Sequence, residues 1–183
     1  MLSQRILDQF DRIPLVTAEP SQYYGVYNMI LSRVFDINSE YIVEPVYAPP
    51  VEDPDVPAID FVVTYPVAVS DPPVFFVAIK PSNIHSEPAR LAADAQMRHI
   101  FRALRHDTPI PVLHGISAMG QKLAFYSMTK TTNNIVPKNI ETSQDHATNT
   151  VPVDRWQSDI TTEEGYQQFM TVVDSVKRMV AAL

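Results

Sequence analysis

Two apolar, β-rich runs over residues 59–65 and 74–80 constrain the fold of this chain more than any other feature. Each run carries a single charged residue, Asp60 in the first and Lys80 in the second. The proline-containing segment between them suits an antiparallel hairpin with a longer loop. Because side chains alternate along a strand, Asp60 shares a face with Val62. The two charges are therefore predicted to lie on one side of one sheet, within side-chain contact of each other.

Hydrophobic periodicity predicts the remaining elements around this hairpin. Helices are predicted over residues 3–12, 22–35, 86–104 and 162–182, and further strands over residues 41–47, 110–117 and 121–128. Ser86 is the expected cap of the third helix, and Thr161 with Glu164 has capping-box spacing before the last one. The proline-rich, acidic residues 48–57 and the polar residues 129–160 are predicted loops. The expectation is a single domain over residues 1–183, with its core at about 22–128.

Composition narrows the classes of protein to which this chain can belong. The 183 residues are 45% hydrophobic and 19% charged, which is typical of a globular domain. The absence of cysteine excludes disulfides and thiolate metal sites. Charges throughout the N-terminal segment indicate an intracellular protein, cytoplasmic or nuclear, with no membrane partner. The net charge of −7 disfavours a nucleic-acid partner without excluding one, and homodimer formation stays open.

The order helix, three strands, helix, two strands, together with an Asp and an x-x-Lys on consecutive strands, resembles the PD-(D/E)XK nuclease-like superfamily. The resemblance implies an α/β, restriction-endonuclease-like core with a central mixed sheet flanked by helices. It implies that Asp60 matches the metal-binding Asp and that Lys80 matches the catalytic lysine. Ala78 stands where the superfamily has its second acid, and Gln96 matches a glutamine found in some branches.

A closer similarity extends from residue 59 to residue 126. The pieces AIKP, RLAADAQMR and GISAMGQKLAFY are similar to a pattern in a group of uncharacterised basidiomycete fungal proteins. That pattern has an acid at the position of Ala78, followed by x-K-P, then R-x-x-A-D-x-Q-M-R, then G-I-S-A-x-G. The resemblance to the superfamily as a whole covers roughly residues 22–128 of this chain.

The missing acid bears on the chemistry that the superfamily performs. Phosphodiester hydrolysis in such a site needs Mg²⁺, which is usually held by one or two carboxylates together with phosphate and water. With Ala78 in place, the resemblance leaves only Asp60 and the Ile79 carbonyl as protein ligands. Asp60 is then at most a weak metal ligand, and Asp60, Lys80 and Gln96 form a vestigial site.

Two other carboxylates are candidates to replace the missing acid. Asp94 follows on the next predicted helix, but helical geometry turns it away from the site if Gln96 faces the site. Asp94 is instead expected to form a surface ion pair with i,i+4 partners, in one stripe with Arg90 and Arg98. Glu44, on the first predicted strand, is the second candidate.

Three functions therefore remain as hypotheses. The leading one is a non-catalytic binding or interaction module with a degraded metal site and no cofactor. The alternatives are an active Mg²⁺-dependent nuclease that uses a substitute acid and a structural or oligomer-forming protein. Asp60 and Lys80 can also be a purely structural salt bridge. The basic residues Arg98, Arg102 and Arg105 are interpreted as a solvated helix face rather than a phosphate-binding patch.

Overall fold

The chain folds into three layers, with a central sheet between two layers of helices. The computed structural model describes residues 1–14, 19–36, 38–49, 58–139 and 151–183. The helices are α1 (Gln4–Asp11), α2 (Ser21–Val34), α3 (Glu87–Leu104) and α4 (Glu163–Val180), with a short 3-10 helix at Val153–Trp156. The strands are β1 (Ile42–Tyr47), β2 (Ile59–Thr64), β3 (Pro73–Lys80), β4 (Val112–Met119), β5 (Lys122–Thr129), β6 (Asn134–Val136) and β7 (Ser158–Asp159).

The sheet is mixed and mostly antiparallel. Its order among the described residues is β1-β2-β3-β4-β5-β6, and β7 pairs with the other end of β5 on the same side as β6. Strands β3 and β4 run parallel because α3 connects them, whereas their neighbours are joined as antiparallel pairs. The nearly continuous apolar run of β3 matches its position as a central strand buried on both faces. The predicted central mixed sheet flanked by helices is therefore confirmed.

Each face of the sheet has its own hydrophobic core. The α2-side core lies beneath α1, α2 and α4 and includes residues Phe61, Val77 and Ile79 from the strands. The α3-side core lies beneath α3 and the 3-10 helix and includes Val62, Phe76 and Ala78. Alternation along β3 distributes its side chains between the two cores.

Local capping groups set where the helices begin. The Ser86 side chain caps α3, as predicted, by accepting a hydrogen bond from the Ala89 N–H at 3.3 Å. The predicted capping role of Thr161 is wrong by one residue. Thr162 caps α4 at the Gly165 N–H, because the Thr161 hydroxyl donates to Asp159 at 2.6 Å instead. No helix in the described ranges has the length and apolar character needed to cross a membrane.

The polar residues 129–160 are not one long loop. Their described part contains β6, the 3-10 helix and β7, and these short strands complete the edge of the sheet along β5. Trp156 is fully buried in the α3-side core and donates to the Ser117 hydroxyl at 3.3 Å. The lack of periodicity hid these elements, because each is too short to show a repeat. Residues 140–150, and residues 50–57 of the other predicted loop, lie outside the described residues.

Alanine substitutions at two glycines test how tightly the sheet is packed, because one glycine lies in a crowded strand and the other on an open helix surface. Gly115 is level with Phe76 on the adjacent parallel strand, and a Cβ there would lie 2.3 Å from the Phe76 ring. We expect Gly115→Ala to lower the free energy of unfolding by about 1–3 kcal/mol through overpacking. Gly25 on α2 is the matched control, since a Cβ there meets nothing within 4 Å. Gly25→Ala should raise stability by up to about 1 kcal/mol.

Urea denaturation followed by the fluorescence of Trp156, the single tryptophan, measures both changes. Equal stability of Gly115→Ala and wild type would contradict the described packing of Phe76.

Candidate functional site

Strand alternation breaks at Asp60. Ile59 packs in the α3-side core and Phe61 in the α2-side core, although regular alternation would place both on one face. The register of β1 puts Val46 level with Asp60, and Val46 has a φ of 55°, which is strained for a β-branched residue. The Asp60 side chain bonds to groups of β3 and of α2, which lies over the α2-side core, whereas Val62 packs in the α3-side core. The prediction that Asp60 shares a face with Val62 is therefore wrong.

The Asp60 carboxylate fills the gap between β2 and β3. The described pairing of these strands ends at Phe61 and Val77. Beyond that point the Ile79 N–H donates to Asp60 Oδ2 at 2.7 Å, in place of a backbone carbonyl of β2. The Tyr24 hydroxyl of α2 donates a short hydrogen bond to Asp60 Oδ1. Both carboxylate oxygens therefore accept a hydrogen bond from the protein itself.

Tyr24 is held in place by its ring. The ring lies edge-on to Phe61, with the ring centroids 5.6 Å apart. Burial raises the pKa of Tyr24 to about 12, with further contributions from the hydrogen bond and the charge of Asp60. The phenol therefore keeps its proton at neutral pH and acts as a donor to the carboxylate.

Ala78 and Lys80 lie on β3 beside this carboxylate. Continuing the β2–β3 register places Ala78 level with Asp60, and its side chain is 1% exposed in the α3-side core. Lys80 ends the strand half-buried, and burial lowers its pKa while the charge of Asp60 acts in the opposite direction. Both residues are described, and no nitrogen–oxygen contact within 4 Å joins Lys80 to Asp60. The two charges interact through space, and the salt bridge considered for this pair is absent.

Gln96 lies on α3, half-buried. On an α-helix it is about 200° away from Asp94, so the two side chains point to opposite sides of α3. Asp94 contacts Tyr126 on β5, and Gln96 consequently lies toward β2. Its Oε1 atom is buried without a hydrogen-bond partner among the described residues. No hydrogen bond of the described residues joins Gln96 to Asp60 or Lys80.

Asp94 is the centre of a buried polar cluster, not a residue of a surface ion pair. The side chain of Asp94 is 5% exposed. It accepts hydrogen bonds from Arg98 Nε at 2.7 Å, Arg155 Nη1 at 2.7 Å and the Tyr126 hydroxyl at 2.9 Å. The i,i+4 pair with Arg98 exists as predicted, but it faces inward because Arg155 and Tyr126 meet it there. Burial, followed by the charge of Asp94 and its hydrogen bond, raises the pKa of Tyr126.

The arginines around Asp94 also bind backbone carbonyls. Arg98 donates to Pro137 O at 2.8 Å, and Arg155 donates to Lys138 O at 2.9 Å. Arg90, 5% exposed, donates to Val151 O at 2.8 Å and to Ile84 O at 2.6 Å. Arg90 and Arg98 therefore do not belong to a solvated helix face. The interpretation of Arg98 as part of a solvated basic face is wrong.

The side-chain oxygen atoms near Asp60 do not form a suitable set of ligands for a divalent cation. Asp94 is committed to two arginines and a tyrosine, so it does not replace the acid missing at Ala78. Glu44 lies on β1, level with Val62 of β2, and it accepts a hydrogen bond from Thr64 Oγ1 at 3.0 Å. Within the described ranges, no three His, Asp or Glu side chains come together as metal ligands. One carboxylate with both oxygens already hydrogen-bonded is a poor site for Mg²⁺.

Sequence patterns do not identify Tyr24, the partner of Asp60, or Arg155, a partner of Asp94. Tyr24 lies on α2 between Tyr23 and Tyr27, which carry the apolar stripe, and no spacing distinguishes it as a partner of Asp60. Arg155 lies 61 positions from Asp94, in a segment without periodicity. Only the chemical rule that a buried carboxylate needs a cation could have prompted a search for such a partner.

The comparison with solved structures decides the fold. The chain aligns with the type IIG restriction endonuclease BpuSI at a TM-score of 0.50 and 13% sequence identity. The fold is restriction-endonuclease-like. The alignment covers 91% of this chain and 18% of that enzyme, so the chain spans about a fifth of the enzyme's length. No family model matches the chain, and no curated protein matches it either, so the similarity to fungal proteins stays a prediction.

The buried cluster can be tested by removing its single negative charge. We expect Asp94→Asn to lower the free energy of unfolding by about 3 kcal/mol or more, because Arg98 and Arg155 then lack a counter-charge. Asp107→Asn, at an exposed position in the turn that follows the same helix, is the control and should change stability by less than about 0.5 kcal/mol. Urea denaturation measures both. A loss for Asp94→Asn as small as for the control would mean that the cluster contributes no net stability.

Proposed function

We propose that this chain is a non-catalytic binding or interaction module on a restriction-endonuclease-like fold, with a degraded metal site. One observation carries the proposal. At the position level with Asp60, β3 has the buried Ala78, while both oxygens of Asp60 accept hydrogen bonds, one from the Tyr24 hydroxyl and one from the Ile79 N–H. The Asp60 carboxylate forms structural hydrogen bonds. The residue expected to supply a second metal-binding carboxylate is Ala78, whose side chain is only a methyl group.

The charge balance supports the same conclusion. Asp60 and Lys80 carry one negative and one positive charge within electrostatic range of each other. Such a pair is nearly neutral overall and offers no excess negative charge to a divalent cation. Phosphodiester hydrolysis by a metal-activated water needs that excess.

The proposal predicts that the purified chain does not cleave duplex or single-stranded DNA or RNA in Mg²⁺ or Mn²⁺. Labelled oligonucleotides resolved on denaturing gels provide the measurement. Turnover that disappears in both Asp60→Ala and Lys80→Ala variants would overturn the proposal. Fluorescence anisotropy with the same oligonucleotides then tests whether the ligand of the module is a nucleic acid, which the net charge of −7 disfavours.

An active Mg²⁺-dependent nuclease is the second candidate, favoured by one carboxylate. Glu44 is half-buried on β1, level with Val62, which lies two residues from Asp60. The aligned solved structure is that of a restriction endonuclease, which is consistent with this candidate. If cleavage is found, loss of turnover in Glu44→Gln, with retention in the exposed control variant Asp107→Asn, would identify Glu44 as the substitute acid.

A structural or oligomer-forming role is the third candidate. Strand β1 lies at the end of the described sheet and exposes Ile42 and Val46, with relative exposures of 46% and 60%. Pro45 on the same strand lacks an N–H, which weakens pairing with a further strand. Light scattering over a range of concentrations distinguishes a monomeric module from a self-assembling one.

A further inference from the structure

We infer that the Tyr24 hydroxyl takes the place beside Asp60 that a divalent cation needs, so that Tyr24 is the residue that keeps this site free of metal. The inference rests on the proposed function, which it makes specific. Ala78 explains why the site has one carboxylate too few. Tyr24 explains what satisfies the remaining carboxylate instead.

The position of Tyr24 is fixed by the way α2 docks onto the end of β3. On the same helix, the Tyr27 hydroxyl donates to Gly120 O at 2.7 Å, and the Gly120 N–H donates to Lys80 O at 3.3 Å. This chain of hydrogen bonds attaches α2 to the last residue of β3. The Tyr24 ring rests against Phe61 as well. The Tyr27 and Phe61 contacts therefore hold α2 and the Tyr24 ring beside β3, where the Tyr24 hydroxyl reaches Asp60.

A phenol and a lone carboxylate are chemically matched. A hydrogen bond from a hydroxyl to a carboxylate is charge-assisted and stronger than one between neutral groups. It satisfies Oδ1 without adding charge, whereas Mg²⁺ needs octahedral oxygen ligands and retains several water molecules. A hydrated cation could bind Oδ1 only by displacing the Tyr24 hydroxyl. Removing that hydroxyl leaves the Ile79 hydrogen bond on Oδ2 and frees Oδ1.

Spectrophotometric titration tests the contact directly. The difference between wild type and Tyr24→Phe in phenolate absorbance isolates Tyr24 from the other tyrosines. We expect this component to titrate near pH 12 in wild type. In an Asp60→Asn background the same difference should titrate at lower pH, because the negative charge that opposes ionisation is gone. An unchanged midpoint in Asp60→Asn would overturn the inference.

Metal titration tests the consequence. Ala78→Glu supplies the second carboxylate, and the comparison is between Ala78→Glu and Tyr24→Phe/Ala78→Glu, each titrated with Mn²⁺ by calorimetry. We expect the double variant to bind Mn²⁺ at least about tenfold more tightly, the factor typical for a lost hydrogen bond to a charged group. Equal affinities would overturn the inference. Ala78 is buried, so Ala78→Asp replaces Ala78→Glu if the longer acid prevents folding, and the phenolate titration needs neither variant.

The outcomes separate the inference from the proposed function. Metal-dependent cleavage by wild type that requires Asp60 and Lys80 refutes the proposed function. Absence of cleavage together with equal Mn²⁺ affinities refutes only the role of Tyr24. Absence of cleavage together with the tenfold difference supports both.

Discussion

The central position of β3 sets the strictest requirement on this structure. The strand is buried along almost its whole length, so each of its backbone N–H and carbonyl groups must find a partner inside the protein. Neighbouring strands satisfy most of them. Where β2 stops pairing, Asp60 satisfies the Ile79 N–H with its side chain, and the turn after β4 satisfies Lys80 O through Gly120. The candidate site is therefore also the place where the sheet completes its own hydrogen bonding.

This double role gives Asp60 a structural role that needs no cation. A carboxylate whose only partner was a metal would be left as an unpaired charge in its absence, which is costly away from water. Asp60 instead has the Ile79 N–H and the Tyr24 hydroxyl as partners, with Lys80 in electrostatic range. Its loss would remove the partner of the Ile79 N–H inside the sheet and the acceptor of the Tyr24 hydroxyl. Stability of the fold is thus enough to explain an aspartate at this position.

The sequence predicted the elements well where its periodicity was strong, and the site poorly where geometry departed from regularity. The apolar run of β3 and the Ser86 cap of α3 are strong local signals, and both were confirmed. Asp60 lies where strand alternation breaks, beside a valine of β1 with a positive φ, and nothing in the composition of either strand indicates this irregularity. The surroundings of Asp94 depend on Arg155, a contact between distant segments that local patterns do not report.

The three arginines around α3 affect how this part of the protein unfolds locally. Arg90 and Arg98 extend from α3 to the carbonyls of Val151 and Pro137, and Arg155 returns from the 3-10 helix to Asp94. These bonds join the helix to two segments that follow it much later in the chain, 39 to 61 positions away. Separating α3 from the sheet would expose a carboxylate and three guanidinium groups at once. The amide hydrogens of α3 and the 3-10 helix should therefore exchange with solvent together, as one cooperative unit.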